Sequence, residues 1–398
     1  MTGGPYYEPP KPSSPESCPE WLKGEGDAAD VVLSSRVRVA RNLATGPFAL
    51  RSTKRDRQRV LEVCRDRILT CGIGARIAWE ELHESTSLQR ALLVERHIIS
   101  KQLSRGKVGA GGAAEDPRAV AYTLPDERVA IMVNEEDHLR VQGMRSGLAL
   151  SEAWAEVDRI DDLLEAGLDF AFSTRFGYLT ACPTNVGTGV RMSCMLHLPG
   201  LRLTGDIEKV KRAAGDMNLA VRGFYGEGSE AIGDLFQISN QTTLGKTERA
   251  ILTMLESEIL PKVIEYERLA RRELQQKRRL ALEDQAWRAW GLVTSARLLT
   301  TEEAMQALSM VRLGALLGVL PGSAGTPARA TGDAGGAGAT AQGAGGGAAG
   351  QSAGVRAVNL LMLLVQPAHL QKVFGRELDQ EQRRAARAAL LRQRLGRV

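Results

Sequence analysis

Cysteine and histidine are scarce in this sequence, and their spacing excludes two common kinds of site. Five of the 398 residues are cysteine and five are histidine. No Cys-x-x-Cys pair occurs among Cys18, Cys64, Cys71, Cys182 and Cys194, and no His-Glu-x-x-His motif occurs at all. We therefore expect neither a disulfide framework nor a structural zinc site, and we assign no metal ligand.

Long apolar runs and a strong net charge are also lacking. No run approaches the roughly 18 residues that a membrane span needs, and the N-terminus lacks a basic segment followed by an apolar one. The formal net charge is only +5, which favours neither a nucleic-acid binder nor a membrane-surface protein. We expect a cytoplasmic protein with two or three folding units and with no nucleic-acid or membrane partner.

The most informative stretch runs from Cys182 to Leu196 and contains a glycine-rich turn. Residues 170–180 alternate in character and predict a strand before the turn, and residues 190–198 predict a strand after it. The glycines of the turn allow backbone amides to approach a ligand, and Arg191 adds a permanent positive charge. This combination favours a phosphate site, and a plain hairpin with an exposed arginine is the alternative.

Three further segments place arginines or carboxylates at the ends of predicted strands. They contain Arg36 and Arg38 after Ser34 and Ser35, Glu135 and Glu136 with Arg140, and Arg222 with Glu227. Five arginines around one site would neutralise a nucleotide triphosphate, and phosphoryl transfer depends on such positioning and charge stabilisation. A solvated strand face and a capped helix start are the alternatives for the first two segments.

The signatures of the common kinases are absent. The Gly-x-x-x-x-Gly-Lys-Ser/Thr loop does not occur, and neither do the His-Arg-Asp and Asp-Phe-Gly motifs. P-loop enzymes and ordinary protein kinases are therefore excluded.

Four short segments resemble, in order and composition, those of a known family. They are residues 34–38, 134–138, 182–189 and 222–229. Together they resemble the ATP:guanido phosphotransferases, the family of creatine kinase and arginine kinase, and within it the bacterial protein arginine kinases. The resemblance implies an α+β fold, in which a catalytic domain at residues 29–255, an antiparallel sheet flanked by helices, precedes an all-helical dimerisation and regulatory domain at residues 256–398.

The resemblance also implies which residues bind ATP, with Mg²⁺ as the accompanying ion. They are Ser34, Ser35, Arg36, Val37, Arg38, His97, Arg140, Arg191, Met192, Ser193, Cys194, Met195, Arg222, Gly223, Phe224, Tyr225, Gly226 and Glu227. We expect Met192 and Cys194 to contribute backbone or packing. His97 lies on a helix predicted over residues 88–103, where a structural role is the alternative.

On the acceptor side, the resemblance implies that Glu136 and Glu227 bind and deprotonate a guanidinium group. A guanidinium is planar, has a pKa above about 12 and offers forked donors that fit carboxylates. Glu135 and Asp137 remain alternatives for the inward-facing acid. Cys182 corresponds to the reactive cysteine of the family, for which we expect a supporting role, and a small buried residue is the alternative.

The position of the first motif bears on the substrate. Small-molecule guanidino kinases carry a helical domain ahead of it, and here the motif begins at Ser34. We therefore expect a protein arginine kinase that acts on accessible arginines of proteins, either marking them for a Clp-type protease or inactivating a stress repressor. A zinc-binding activator is a further expected partner. A small-molecule guanidino kinase and an inactive adaptor or phosphoarginine-binding module are the alternatives.

Four expectations concern the N-terminal segment and the helical C-terminal domain. Residues 1–28 are predicted to be a flexible leader, and the Gly/Ala-rich residues 321–354 a disordered insertion in the helical domain. The helices on either side of the insertion predict a homodimer. By resemblance, an allosteric phosphoarginine site would lie at Arg383, Arg384, Arg387 and Ala388, where Arg384 replaces an aspartate of the family motif.

Overall fold

The computed structural model describes residues 18–49, 51–74, 76–106, 116–223, 232–320 and 346–396. These residues form two compact units. One contains residues 18–223 and 235–270, and the other contains residues 232–234 and 271–396. The boundary predicted from the sequence lies after residue 255.

The secondary structure contains both strands and helices up to residue 240 and is helical afterwards. The strands are β1 (Val32–Arg41), β2 (Ile77–Glu81), β3 (Ala119–Thr123), β4 (Val129–Val133), β5 (Leu139–Ser146), β6 (Phe172–Ser173), β7 (Gly177–Tyr178), β8 (Val190–His197), β9 (Leu219–Gly223) and β10 (Leu235–Asn240). The helices are α1 (Lys54–Thr70), α2 (Ser87–Glu95), α3 (Lys101–Arg105), α4 (Leu150–Glu165), α5 (Pro199–Thr204), α6 (Ile207–Asp216), α7 (Glu248–Thr253), α8 (Leu260–Lys277), α9 (Arg279–Ser295), α10 (Thr301–Leu316), α11 (Gly346–Leu364), α12 (Pro367–Phe374) and α13 (Gln380–Leu395).

An eight-stranded antiparallel sheet forms the centre of the first unit. Its strand order is β2-β3-β4-β5-β1-β8-β10-β9, so β1 is an inner strand with β5 and β8 on its two sides. This arrangement confirms the predicted α+β fold with an antiparallel sheet and flanking helices. Because β1 is paired along both edges, the side chains that it carries are held at fixed positions.

The two faces of the sheet are covered differently. On one face, Val37 and Val39 join Val141 and Met192 in a core that also contains Val157 of α4. On the other face, a smaller apolar cluster packs α2 and α3 against β3 and β4 only. The second face of β1, β5 and β8 therefore remains available to a ligand.

The predicted strand over residues 170–180 is wrong. These residues form a separate small hairpin, in which Phe172 of β6 pairs with Tyr178 of β7, and β8 pairs with β1 and β10 instead. Gly177 has a φ of 76°, which glycine adopts at low cost in a tight turn. The alternation of aromatic residues therefore reflects pairing within the hairpin.

The predicted helix over residues 88–103 is interrupted. Helix α2 ends at Glu95, His97 has a φ of 59°, and α3 starts again at Lys101. Ser100 caps α3 by accepting a hydrogen bond from the backbone N–H of Leu103 at 3.0 Å. His97 thus lies in a left-handed connection and not on a helix.

The predicted flexible leader is also too long. Residues 1–17 lie outside the described residues, but residues 18–28 are packed against the sheet unit. Trp21 and Leu22 are 2% and 0% exposed, and the backbone N–H of Glu20 donates to the carbonyl of Asp126 at 2.8 Å. Burial of these two large side chains offsets the cost of ordering the segment.

The second unit is helical. Its core contains the fully buried Arg312, whose Nε donates to Asn359 Oδ1 at 3.0 Å. Helix α11 begins at Gly346, which lies inside the predicted insertion at residues 321–354. The predicted insertion therefore extends too far towards the C-terminus. Residues 321–345 lie outside the described residues. Among the described helices, none is both long and apolar enough to cross a bilayer.

Helix α4 receives its N-terminal cap from a distant residue. Ala149 at the N-cap has no side-chain oxygen, and the carboxylate of Glu256 accepts from the backbone N–H groups of Leu150 at 2.8 Å and Ser151 at 3.1 Å. The hydroxyl of Ser151 also donates to this carboxylate. Glu256 belongs to a π-helical segment, Met254–Ile259, that follows α7. The carboxylate stabilises the positive end of the α4 dipole.

We predict that Glu256→Ala lowers the free energy of unfolding by about 1–2 kcal/mol, because two helix N–H groups lose their acceptor. The urea midpoint, followed by circular dichroism, measures the change. The matched control is Glu258→Ala, since Glu258 lies two residues away in the same segment and is exposed. Equal midpoints for the two variants would contradict the capping role.

Candidate active site

A cleft of about 670 Å³ lies on the open face of the sheet. Several residues that the sequence analysis selected line it, although they are up to 188 positions apart in the chain. They are Ser34, Arg36, Arg38, His97, Glu135, Glu136, Arg140, Cys182, Arg191, Ser193, Met195 and Arg222. Antiparallel pairing brings them together: Arg38 is opposite Arg191 on β8, and Ala40 is opposite Arg140 on β5.

Other selected residues point away from the cleft, because side chains alternate along a strand. Val37, Met192 and Cys194 belong to the core on the opposite face. Ser35 is fully buried there and donates to the carbonyl of Gly147 at 2.8 Å. The side chains of these four residues therefore do not line the cleft, and for Met192 and Cys194 only backbone or packing contributions were expected. Gly223 ends β9, and Phe224, Tyr225, Gly226 and Glu227 lie outside the described residues.

Positive charge is concentrated in the middle of the cleft. Burial lowers the pKa of Arg36 to about 10, with further contributions from Arg191 and Arg140. Burial, followed by the charges of Arg36 and its neighbours, places the pKa of Arg38 well below its ordinary value. The Nε of Arg38 is buried and has no hydrogen-bond partner within the described ranges. Guanidinium groups held together in this way favour a polyanion.

The acidic residues at one end of the cleft differ in accessibility. Arg140 contacts Glu135 Oε2 at 2.6 Å and Glu136 Oε2 at 3.4 Å, and the two acidic side chains are 1% and 34% exposed. Glu135 also accepts from the hydroxyl of Ser100. Partial burial raises the pKa of Glu136, with Arg140 acting in the opposite direction. Glu136 is therefore the acid of this pair that remains open to a ligand.

Asp137 is buried and connects loops, which the sequence did not reveal. Its Oδ1 accepts from Asn42 Nδ2 at 2.7 Å and from the backbone N–H of Ala181 at 2.7 Å. Asn42 Oδ1 in turn accepts from the backbone N–H of His138 at 2.9 Å. The end of β1, the loop with Glu136 and the loop with Cys182 are thereby joined. Asn42 was missed because its partners are 95 or more residues away in sequence.

Arg41, the last residue of β1, also fixes the loop that carries Cys182. This buried arginine pairs with Asp161 at 2.6 Å and donates to the carbonyl of Thr188 at 2.9 Å. A Cβ added at Gly189, where φ is 68°, would lie 2.7 Å from both the carbonyl oxygen of Ala40 and Nη1 of Arg41. Only glycine allows this approach of the loop to β1.

Cys182 is half-buried at the start of this loop and lines the cleft. Its sulfur lies 3.0 Å from the hydroxyl oxygen of Thr184. The backbone N–H of the preceding residue, Ala181, donates to Asp137, so Cys182 lies beside the loop that carries Glu136.

His97 lines the cleft as an uncharged ring. Burial and the nearby charges of Arg36, Arg38 and Lys101 lower its pKa to about 3. Its backbone carbonyl accepts from Gln142 Nε2 at 2.6 Å, which holds the left-handed connection against the sheet. At neutral pH this imidazole is a hydrogen-bonding group and not a cation.

The predicted phosphoarginine residues lie on α13, in the second unit. Arg387 and Ala388 are buried, and Arg387 donates to the carbonyls of Val365 and Leu299, both at 2.8 Å. Arg383 donates to the carbonyl of Leu378 at 2.8 Å, and Arg384 is exposed. Arg387 thus connects α13 to the segments that contain Val365 and Leu299. The allosteric site remains a prediction.

One group outside the cleft was not selected from the sequence. Glu81, His83 and Glu84 have potential ligand atoms within 4.8 Å of one another. Glu81 already contacts Arg65 at 3.2 Å and accepts from Trp79 Nε1 at 3.3 Å. We therefore assign no ion to it.

Comparison with known families agrees with this geometry. Residues 64–270 match the model of the ATP:guanido phosphotransferase C-terminal catalytic domain. Residues 279–327 and 351–398 match the model of the protein-arginine kinase McsB C-terminal domain. The interval between the two matched parts falls within the predicted insertion at residues 321–354.

Relatives and solved structures similar to this chain are also guanidino kinases. The chain is 44% identical to the protein-arginine kinase of Symbiobacterium thermophilum, over 94% of this chain and 96% of that one. It is 41% identical to that of Pelotomaculum thermopropionicum, over 94% of each chain. A crystal structure of lombricine kinase is 26% identical, with a TM-score of 0.52, over 67% of this chain and 73% of that one. The chain belongs to the ATP:guanido phosphotransferase family, in the group formed by the protein-arginine kinases.

Proposed function

We propose that this protein transfers the γ-phosphoryl group of ATP to arginine side chains of proteins, which yields ADP and protein Nω-phospho-L-arginine. One observation carries the proposal. A single cleft contains a cluster of guanidinium groups beside a carboxylate, Glu136, that is accessible from the same space. The guanidinium cluster fits a triphosphate, and the carboxylate fits a guanidinium acceptor.

The positions of the charged residues support one direction of ATP binding. Arg36 and Arg38 are two residues apart on β1, about 7 Å along the strand, and Arg191 is opposite Arg38. Together they would bind the triphosphate. Its γ-phosphate would then lie towards Arg140, Glu136 and Cys182. Mg²⁺ would enter as part of the substrate, held by phosphate oxygens and water.

The acceptor guanidinium must lose a proton as its nitrogen forms the N–P bond and the bond from phosphorus to the ADP oxygen breaks. We propose that the carboxylate of Glu136 orients this group and takes the proton. The raised pKa of Glu136 makes it a better proton acceptor than an ordinary glutamate. Glu227 is the proposed second carboxylate, and Cys182 has a supporting role.

The wider biological role also remains a proposal. A homodimer and an allosteric response to phosphoarginine follow from the resemblance of the sequence to protein arginine kinases. A Clp-type protease or unfoldase, a zinc-binding activator, a function in stress response and a cytoplasmic location follow from the resemblance of the sequence. The likeness to lombricine kinase supports a small guanidino compound as the alternative acceptor.

The proposed reaction predicts a specific product. With labelled Mg-ATP, we expect label on a protein acceptor with exposed arginines and none on the same acceptor with lysine in their place. The label should be lost in acid and kept in base, because a P–N bond is acid-labile whereas a serine phosphate survives acid. Transfer to free arginine alone would favour a small-molecule kinase. Absence of any transfer would favour an adaptor.

A further prediction separates the two parts of the cleft. Glu136→Gln should lower kcat by about 10²- to 10⁴-fold while ATP binding stays within a factor of two, because the carboxylate faces the acceptor. Arg36→Ala should weaken ATP binding and lower kcat together. Calorimetry gives the Kd for ATP, and labelled transfer gives the rate.

Matched controls are Glu84→Gln and Arg59→Ala, which change exposed residues outside the cleft. The pH profile adds a further test. A rate that needs ionised Glu136 falls as pH drops through the raised pKa of this residue, at a higher pH than an ordinary glutamate would give. Unchanged turnover in Glu136→Gln would remove the proton-acceptor role.

Another prediction concerns assembly. Deletion of residues 323–345 should leave both the homodimer and transfer intact, because Gly- and Ala-rich sequence buries little apolar surface. Truncation after Pro261 should give a monomer. Light scattering coupled to size-exclusion chromatography measures the mass. A monomeric full-length chain at micromolar concentration would disprove the proposed dimer.

A further inference from the structure

The short helical turn Glu20–Leu22 brings Trp21 into the wall of the cleft. Two hydrogen bonds from residues that flank Trp21 fix the position of this segment along the sheet. The backbone N–H of Glu20 donates to the carbonyl of Asp126 at 2.8 Å, and that of Glu25 donates to the hydroxyl of Ser146 at 3.1 Å. Ser146 is opposite Ser34 at the start of β1. Trp21 is therefore held near the β1 end that begins with Ser34.

The indole N–H of Trp21 is a buried donor. The side chain is 2% exposed, and its Nε1 has no hydrogen-bond partner in the described part of the chain. Buried tryptophan N–H groups usually have an acceptor, because a buried donor without one is costly. Since Trp21 lines the cleft, a bound molecule there can supply the acceptor.

The surroundings of Trp21 suit a flat, partly polar group. Its ring meets the ring of His97 edge to face, with centroids 4.9 Å apart and an interplanar angle of 78°. Met144, opposite Arg36, and Met195, opposite Ser34, add apolar surface to the lining. Aromatic and thioether side chains of this kind pack well against a nucleobase.

The opposite end of the cleft contains the acceptor groups. Ala40 is opposite Arg140, and Arg140 contacts Glu136. Arg36 and Arg38 lie between this end and Ser34 along β1. A triphosphate on these arginines with its γ-phosphate towards Glu136 therefore leaves its nucleoside at the end with Trp21 and His97.

We propose that Trp21 binds the nucleoside of ATP: the indole ring forms a wall beside the base, and its N–H donates to a nucleoside acceptor atom. This inference rests on the proposed function, because that function sets the direction of the triphosphate. The sequence alone placed Trp21 in a leader outside the catalytic domain. In the structure, the segment is part of the substrate cleft.

The test compares two ligands that differ in the nucleoside. Mg-ATP has it, and Mg-tripolyphosphate has the phosphates without it. Trp21→Phe keeps an aromatic ring without the N–H, and we expect its Kd for Mg-ATP to rise about three- to tenfold. Trp21→Ala should raise it about tenfold or more, because the stacking surface is lost as well. The Kd for Mg-tripolyphosphate should change less than twofold in both variants.

Trp154→Phe is the matched control, since Trp154 lies on α4, packed against the core and not in the cleft. An unchanged Kd for Mg-ATP in Trp21→Phe would overturn the inference. Equal weakening of both ligands would also overturn it, because that result indicates a distorted cleft. Failure of the wild-type protein to bind Mg-ATP or to transfer phosphate would instead disprove the proposed function.

A measurement on the unmutated chain tests the same contact without relying on the folding of a variant. The chain has five tryptophans. With 5-fluorotryptophan incorporated, the ¹⁹F signal that is lost in Trp21→Phe belongs to Trp21. We expect Mg-ATP to shift that signal and Mg-tripolyphosphate to leave it in place. If Mg-ATP saturates the protein without a shift of any of the five signals, Trp21 does not contact the nucleoside.

Discussion

Repulsion among guanidinium groups is the constraint on which the cleft depends. Arg36, Arg38 and Arg191 are brought together by strand pairing, and the lowered pKa of Arg36 reflects what burial and this proximity cost. The unfolded chain would keep these charges apart in water, so the fold must offset the cost elsewhere. Pairing of β1 on both edges and the apolar core behind it supply that stability. A polyanion relieves the repulsion, so binding and stability are coupled.

Strand β1 and the two residues at its end organise the rest of the site. Arg41 fixes the loop after Cys182 through Thr188, and Asn42 joins that loop to the acidic one through Asp137. Displacement of β1 would therefore move the cations, the carboxylate and the thiol together. This shared support gives the phosphate-binding and acceptor-binding groups a fixed separation, as transfer between two bound substrates requires.

The parts that could be predicted from the sequence depend on local periodicity. Arg36 and Arg38 are two positions apart in a segment that predicted a strand, and both line the cleft. Two failures have local causes, and two come from long-range contacts. His97 leaves its helix because Ser100 starts a new one, and residues 170–180 pair with themselves. Asn42 and Trp21 have roles that depend on partners 95 or more and 76 residues away. The sequence near Asn42 gave no signal of its contacts.

The alternation of β1 also limits how its length can change. Even-numbered residues such as Arg36 and Arg38 face the cleft, and odd-numbered residues such as Val37 and Val39 face the core. Loss or gain of one residue inside the strand would exchange the two sets and place both arginines in an apolar interior. The match to the C-terminal family model, by contrast, is interrupted between residues 327 and 351. Extra residues there leave the matched sequence on both sides unchanged, whereas a residue gained or lost inside β1 would change which side chains face the cleft.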